Sequence, residues 1–142
     1  MPYKKVLIAT DNSEPSMKAA ETGFQLASQL NAETAMVFVI DTAKTRGDAD
    51  AGILPQDQVA KLRIEAEKWF DSLITQGQVF ERFILEDKPS QGVMNTAQEW
   101  GADLIVVGTK GKTGIKRLLL GSTAENVIRQ STIPILVVPV KQ

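Results

Sequence analysis

The chain contains no cysteine and no histidine. Without thiols there is no disulfide, no thiolate nucleophile and no cysteine-built zinc site. Without imidazole there is no Ser-His-Asp triad and no histidine general base. Aromatic residues are only 6% of the sequence, and the formal net charge is −1 with a sequence pI of about 5.5. Proteins that track a phosphate backbone present a net basic face, so this balance argues against nucleic acid as the main partner. No apolar run approaches the roughly 18 residues of a membrane span, and MPYKKVLIATD lacks the apolar core and cleavage site of a secretory leader. A cytoplasmic protein with no membrane partner is expected.

What is present fits an ordinary globular protein. A length of 142 residues, 43% hydrophobic and 23% charged, suits one domain spanning residues 1–142. Continuous apolar runs at residues 6–9, 35–40, 104–107 and 135–138 read as strands buried on both faces of a parallel sheet. The run at residues 79–85 is broken by Glu81 and Arg82, which suits an edge strand.

Helical spacing fills the intervals. Ser13, Glu14, Pro15 and Ser16 open the first helix, with Met17, Ala20, Phe24 and Ala27 on its apolar stripe. The second helix, residues 56–76, shows Val59, Leu62, Ala66, Trp69 or Phe70, and Leu73 on one face. The third, residues 90–100, shows Val93, Ala97 and Trp100, and the fourth, residues 124–130, shows Ala124, Val127 and Ile128.

Strands alternating with helices predict an α/β doubly wound fold: a five-stranded parallel sheet in the order 3-2-1-4-5, with helices on both faces. Ligands in such sheets bind at the carboxyl ends of the strands where the winding reverses, between the first and fourth strands. The first strand leads to Ala9, Thr10 and Asp11, and the fourth to Val107 and Gly108.

The segment GTKGKTGIKRLLLGST then supplies the chemistry. Gly108, Gly111, Gly114 and Gly121 let a ligand approach the backbone amides, and Lys110, Lys112, Lys116 and Arg117 supply positive charge. The helix opened by Ser122 and Thr123 adds free amides and the positive end of its dipole. This is an anion cradle suited to phosphate. It is not a P-loop, because Val106 stands where that motif needs its first glycine. It is not the GxGxxG fingerprint either, since the glycines fall three apart and follow the fourth strand.

The spacing Gly108, two residues, Gly111, nine residues, Gly121, Ser122 closely resembles the G-x2-G-x9-G-[S/T] nucleotide motif of the universal stress protein family. The resemblance extends to Asp11, Asn12 and Ser13 after the first strand, to Gly101, Ala102 and Asp103, and to the ending STIPILVVP. It implies an ATP-binding, adenine-nucleotide-responsive regulatory or stress-resistance module, with Mg2+ or Mn2+ held mainly by the phosphates. It further implies that Asp11 and Gly108 approach the ribose, that Val39 meets adenine through its backbone, and that Gly111, Gly121, Ser122 and Thr123 hold phosphates. Lys110 stands where relatives often carry histidine or arginine.

Other readings of the same residues stay open. Asp11 also suits an Asx turn or cap opening the first helix, and Ser122 and Thr123 suit helix caps. A slow ATPase or phosphotransfer enzyme, or a stress-family dimer that no longer binds nucleotide, are the alternatives to a binding module. The uncharged last strand, residues 133–140, predicts a homodimer that pairs this edge with its symmetry mate, unless Pro134 and Pro139 protect a short edge. The connection over residues 41–55 reads equally as a cover for the ligand or as a polar loop.

Overall fold

The computed structural model describes residues 2–11, 13–45, 50–109 and 120–139. Its elements follow in the order β1 (Lys5–Thr10), α1 (Glu14–Leu30), β2 (Glu33–Asp41), α2 (Pro55–Thr75), β3 (Glu81–Asp87), α3 (Pro89–Trp100), β4 (Leu104–Gly108), α4 (Ser122–Gln130) and β5 (Ile135–Val138). All pairings are parallel, and the sheet order is β3-β2-β1-β4-β5, as the sequence pattern predicts.

Alternate residues of each strand point to opposite faces, so a strand covered on both sides must be apolar throughout. Val6, Ile8, Met36, Phe38, Ile40 and Val106 pack against α1 and α2, around Ala20, Phe24, Ala66 and Phe70. Leu7, Val37, Val39, Ile105 and Val107 face the other way, onto Val93 and Ala97 of α3 and Ala124 and Val127 of α4. Each fully buried aliphatic side chain contributes about 1.5 to 3 kcal/mol relative to exposure.

The amino ends of the two central strands are tied by one carboxylate. Asp103 Oδ2 accepts the backbone N–H of Lys4 at 2.8 Å and of Lys5 at 3.0 Å, while the Asp103 N–H donates to the Lys5 carbonyl at 2.8 Å. Just before it, Gly101 ends α3 at φ 83°, a left-handed conformation that glycine adopts without steric cost. The Gly101-Ala102-Asp103 triplet is thereby explained as a strand-start clamp.

The edge strand departs from the sequence boundary. The ladder of β3 begins at Glu81, opposite Ala35, and Val79 is 87% exposed. Phe80 serves the core before the ladder starts, its ring 5.5 Å from Phe70 and 5.7 Å from Phe24. Arg82 turns back onto α2 and bonds Glu67 at 2.6 Å and Asp71 at 2.9 Å, with its guanidinium over the Phe70 ring. Burial alone would lower the Arg82 pKa, but the hydrogen bonds to Asp71 and Glu67 outweigh it and raise the value above the ordinary one.

Two stripe residues also depart from expectation. Met17 is 57% exposed, and Ser16 takes the buried place in the first turn of α1, so the stripe runs Ser16, Ala19, Ala20, Gly23, Phe24, Ala27. Ile128 is 41% exposed, leaving Ala124 and Val127 as the buried face of α4. In α2 it is Phe70 that is fully buried, with Trp69 packed at the margin.

The connection after β2 begins with a turn capped by its first residue. Asp41 Oδ1 accepts the N–H of Ala43 at 3.0 Å and caps a 3-10 turn at Thr42–Lys44. Arg46, Gly47 and Asp48 of this connection lie outside the described residues. No described helix is long and apolar enough to cross a membrane.

Candidate functional site

The crevice predicted from the winding lies at the carboxyl ends of β1, β2 and β4. Pairing between β1 and β2 stops at Thr10 opposite Phe38, while Val39, Ile40 and Asp41 continue against Leu85, Glu86 and Asp87 of β3. The Thr10 rung engages the Val39 N–H, and the Val39 carbonyl, turned to the same side beyond the last residue of β1, borders the crevice. A hydrogen-bonding ligand edge is what such a strand end accepts.

The side chains nearby are mostly committed to the fold. Ala9 is 8% exposed, Val39 6% and Val107 3%, all three packed on the α3 and α4 side. Only their backbones are available to a ligand. Thr10 is likewise buried, and its hydroxyl donates to the Val37 carbonyl at 2.9 Å, which fastens the end of β1 to β2. The Val39 side chain is fixed from outside by Gly92, where a β-carbon would come within 2.8 Å of Val39 Cγ2.

Gly108 ends β4 where the first turn of α1 crosses it. A β-carbon there would meet the carbonyl oxygen of Pro15 and lie 2.9 Å from its carbonyl carbon. The glycine read as a ligand residue thus first permits α1 to close on β4. Pro15 is the residue the sequence reading missed here, although a proline in the first helical turn marks a tight entry.

Asp11 follows β1 and is exposed. Its Oδ1 accepts the Ser13 N–H at 2.8 Å and the Ser16 hydroxyl at 2.9 Å, and its own N–H donates to Ser16 Oγ at 2.7 Å. The Asx-type turn considered for Asp11 is therefore present. Ser16 was read only as an opening residue of α1, and its spacing from Asp11 carried no recognisable signal.

Across the crevice α4 opens at Gly121, whose φ of −71° and ψ of 162° are extended. Among the described residues no side chain caps the helix. Ser122 is exposed, Thr123 is half-buried, and neither hydroxyl makes a hydrogen bond among the described residues. The capping role considered for them is not used. An uncapped helix start offers amide donors and a positive dipole end to an anion. Lys110, Gly111, Lys112 and Gly114 lie outside the described residues.

Cavities open among the described residues on both sides of this region. One of about 150 Å3 adjoins Asp11 between Met17, Phe38, Glu65 and Trp69. The larger, about 610 Å3, runs along α3 and the end of α4 past Gln91, Asn95, Gln98 and Ser131, away from the strand ends that bear Asp11 and Val39. Polarity and size alone would favour the larger, but the open strand edge and helix start belong to the crevice. Among the described residues no group of three or more His, Cys, Asp or Glu side chains is placed to hold a metal.

Comparison with known proteins agrees with this fold. Residues 2–139 match the model of the universal stress protein family. The chain is 35% identical to a universal stress protein of Methanocaldococcus jannaschii, over 96% of its own length and 82% of that protein. It is 30% identical to universal stress protein YxiE of Bacillus subtilis, over 96% and 99%. Among solved structures, MJ0577 of M. jannaschii superposes with a TM-score of 0.79 at 29% identity, covering 100% of this chain and 99% of that one. A universal stress protein solved in complex with cAMP gives a TM-score of 0.65 at 26% identity, covering 97% and 98%. With its sheet order and a family match over nearly its whole length, the chain belongs to the universal stress protein family.

Proposed function

We propose that the chain binds an adenine nucleotide, ATP in the first instance, across the crevice between β1 and β4. The uncapped start of α4 at Gly121 carries this reading, because it presents amide donors at the same sheet edge as Asp11 and the open strand end at Val39. The backbone of Val39 takes the base, Asp11 and Gly108 flank the ribose, and Ser122 and Thr123 meet the phosphates with Gly121. Ala9, Thr10 and Val107 form the floor through their backbones. Lys110, Gly111, Lys112 and Gly114 complete the phosphate cradle.

The donor set fits such a ligand. Among the described residues the hydroxyls of Ser122 and Thr123 have no hydrogen-bond partner, Gly121 adds no side chain over the helix start, and the Asp11 carboxylate is exposed. Mg2+ or Mn2+ arrives with the phosphates rather than on protein carboxylates. The cAMP complex of a relative 26% identical to this chain supports an adenine nucleotide as guest.

The protein then acts as a cytoplasmic regulatory or stress-resistance module whose nucleotide-bound and empty forms differ in affinity for a partner. It works as a homodimer joined through β5. Mass spectrometry of small molecules released from the purified protein tests the ligand. An adenine nucleotide near one per chain is expected, and a protein that carries none and takes up none from solution contradicts the reading.

A further inference from the structure

We propose that Ser16 is a positioning residue of the nucleotide site, whose hydroxyl holds the Asp11 carboxylate in the orientation that receives a ribose. This deepens the nucleotide reading and rests on it.

The Ser16 hydroxyl meets Asp11 twice. It accepts the Asp11 backbone N–H at 2.7 Å and donates to Asp11 Oδ1 at 2.9 Å. The Ser13 N–H adds a second donor to Oδ1 at 2.8 Å. Oδ1 is thus engaged by two donors, while Oδ2 accepts no hydrogen bond among the described residues. A carboxylate pinned through one oxygen presents the other in a fixed direction, with lone pairs for the hydroxyls of a vicinal diol.

Helix capping explains only part of this arrangement. The N-cap of α1 is Ser13, which makes no side-chain cap bond, and the first helical bonds run from the N–H groups of Ser16 and Met17 to the Ser13 carbonyl. The reciprocal pair between Ser16 and Asp11 lies outside that pattern. Ser16 is 6% exposed, so water competes weakly for its hydroxyl, whereas Asp11 is open to solvent. Ordering a charged side chain before the ligand arrives removes a cost that binding would otherwise bear.

The test compares ATP with 2′,3′-dideoxy-ATP by titration calorimetry on the full chain, as wild type, Ser16→Ala, Ser16→Thr and Asp11→Ala. Wild type is expected to prefer ATP. Ser16→Ala should bind ATP about tenfold more weakly and dideoxy-ATP unchanged, as loss of a hydrogen bond to a charged group predicts. Ser16→Thr should retain the wild-type preference. Without nucleotide, Ser16→Ala should exchange its Asp11 amide hydrogen faster than wild type. Equal weakening of both nucleotides, or none, assigns Ser16 a purely structural role and overturns the proposal. If Asp11→Ala abolishes the ribose preference and Ser16→Ala keeps it, Ser16 alone falls. A wild type that binds neither nucleotide overturns the nucleotide reading itself.

Discussion

The carbonyl oxygen of Pro15, in the first turn of α1, occupies the space that a β-carbon on Gly108 would need. The end of β4 and the start of α1 are thereby set at a distance that one methyl group would change. Both flank the crevice, so packing and ligand geometry are coupled at this residue.

Gly108→Ala should accordingly destabilise the fold by about 1 to 3 kcal/mol, the usual cost of forcing atoms into a filled space. The opposing atoms are backbone, so relaxation must move the helix. Urea unfolding measures the loss, and nucleotide affinity should fall with it. An unchanged midpoint would show that α1 yields freely.

Gly92→Ala tests the support behind Val39. Its β-carbon would lie 2.8 and 2.9 Å from the two Val39 methyl groups and 3.3 Å from Leu85 Cδ1. The expected result is a destabilisation of about 1 to 3 kcal/mol together with weaker adenine binding, as β2 shifts under pressure from α3. Calorimetric titration with adenosine alone isolates the base and ribose from the phosphates.

Asp103→Ala removes the acceptor for two backbone amides at the far end of the sheet. Stability should drop by about 1 to 3 kcal/mol, because the N–H groups of Lys4 and Lys5 lose a charged partner. Nucleotide affinity should stay at the wild-type value. A change in affinity would reveal coupling along β1 and β4 that rigid packing does not provide.

The dimer proposal has a backbone test. The carbonyls of Pro134 and Val138 accept from Ile105 of β4 and from Thr109 just after it, so alternation turns the N–H groups of Ile135 and Val137 toward the outer edge of β5. Val137→Pro removes one outward donor and spares the ladder to β4, a placement that edge strands tolerate. Light scattering at micromolar concentration should report a dimer for wild type and a monomer for the variant. A monomeric wild type contradicts the proposal.

The sheet was legible because burial on both faces leaves strands that are apolar without interruption, as in Val6, Leu7, Ile8 and Ala9. The edge strand was legible through Arg82, which interrupts the run and in the structure reaches back to Glu67 and Asp71. Its starting point was not. Phe80 is apolar for a ring cluster rather than for a ladder, and a composition window does not separate the two. Met17 and Ser16 exchanged roles for a related reason: a hydroxyl with two hydrogen bonds is as easily buried as a thioether, and hydropathy does not register the bonds. In the site, glycine spacing pointed to the crevice, but the neighbour that makes Gly108 necessary is a carbonyl oxygen far away in sequence. Such a contact exists only once the chain has wound.

The most direct test of the nucleotide site is the stabilisation that Mg·ATP confers on wild type and on Gly121→Val. Gly121 sits at φ −71° and ψ 162°, which a valine adopts without strain, so the variant should fold and lose only the space over the helix start. At about a hundred times the dissociation constant, Mg·ATP should stabilise wild type by about 2.7 kcal/mol and leave Gly121→Val unshifted. No shift in wild type, or an undiminished shift in Gly121→Val, would contradict a nucleotide bound at the start of α4.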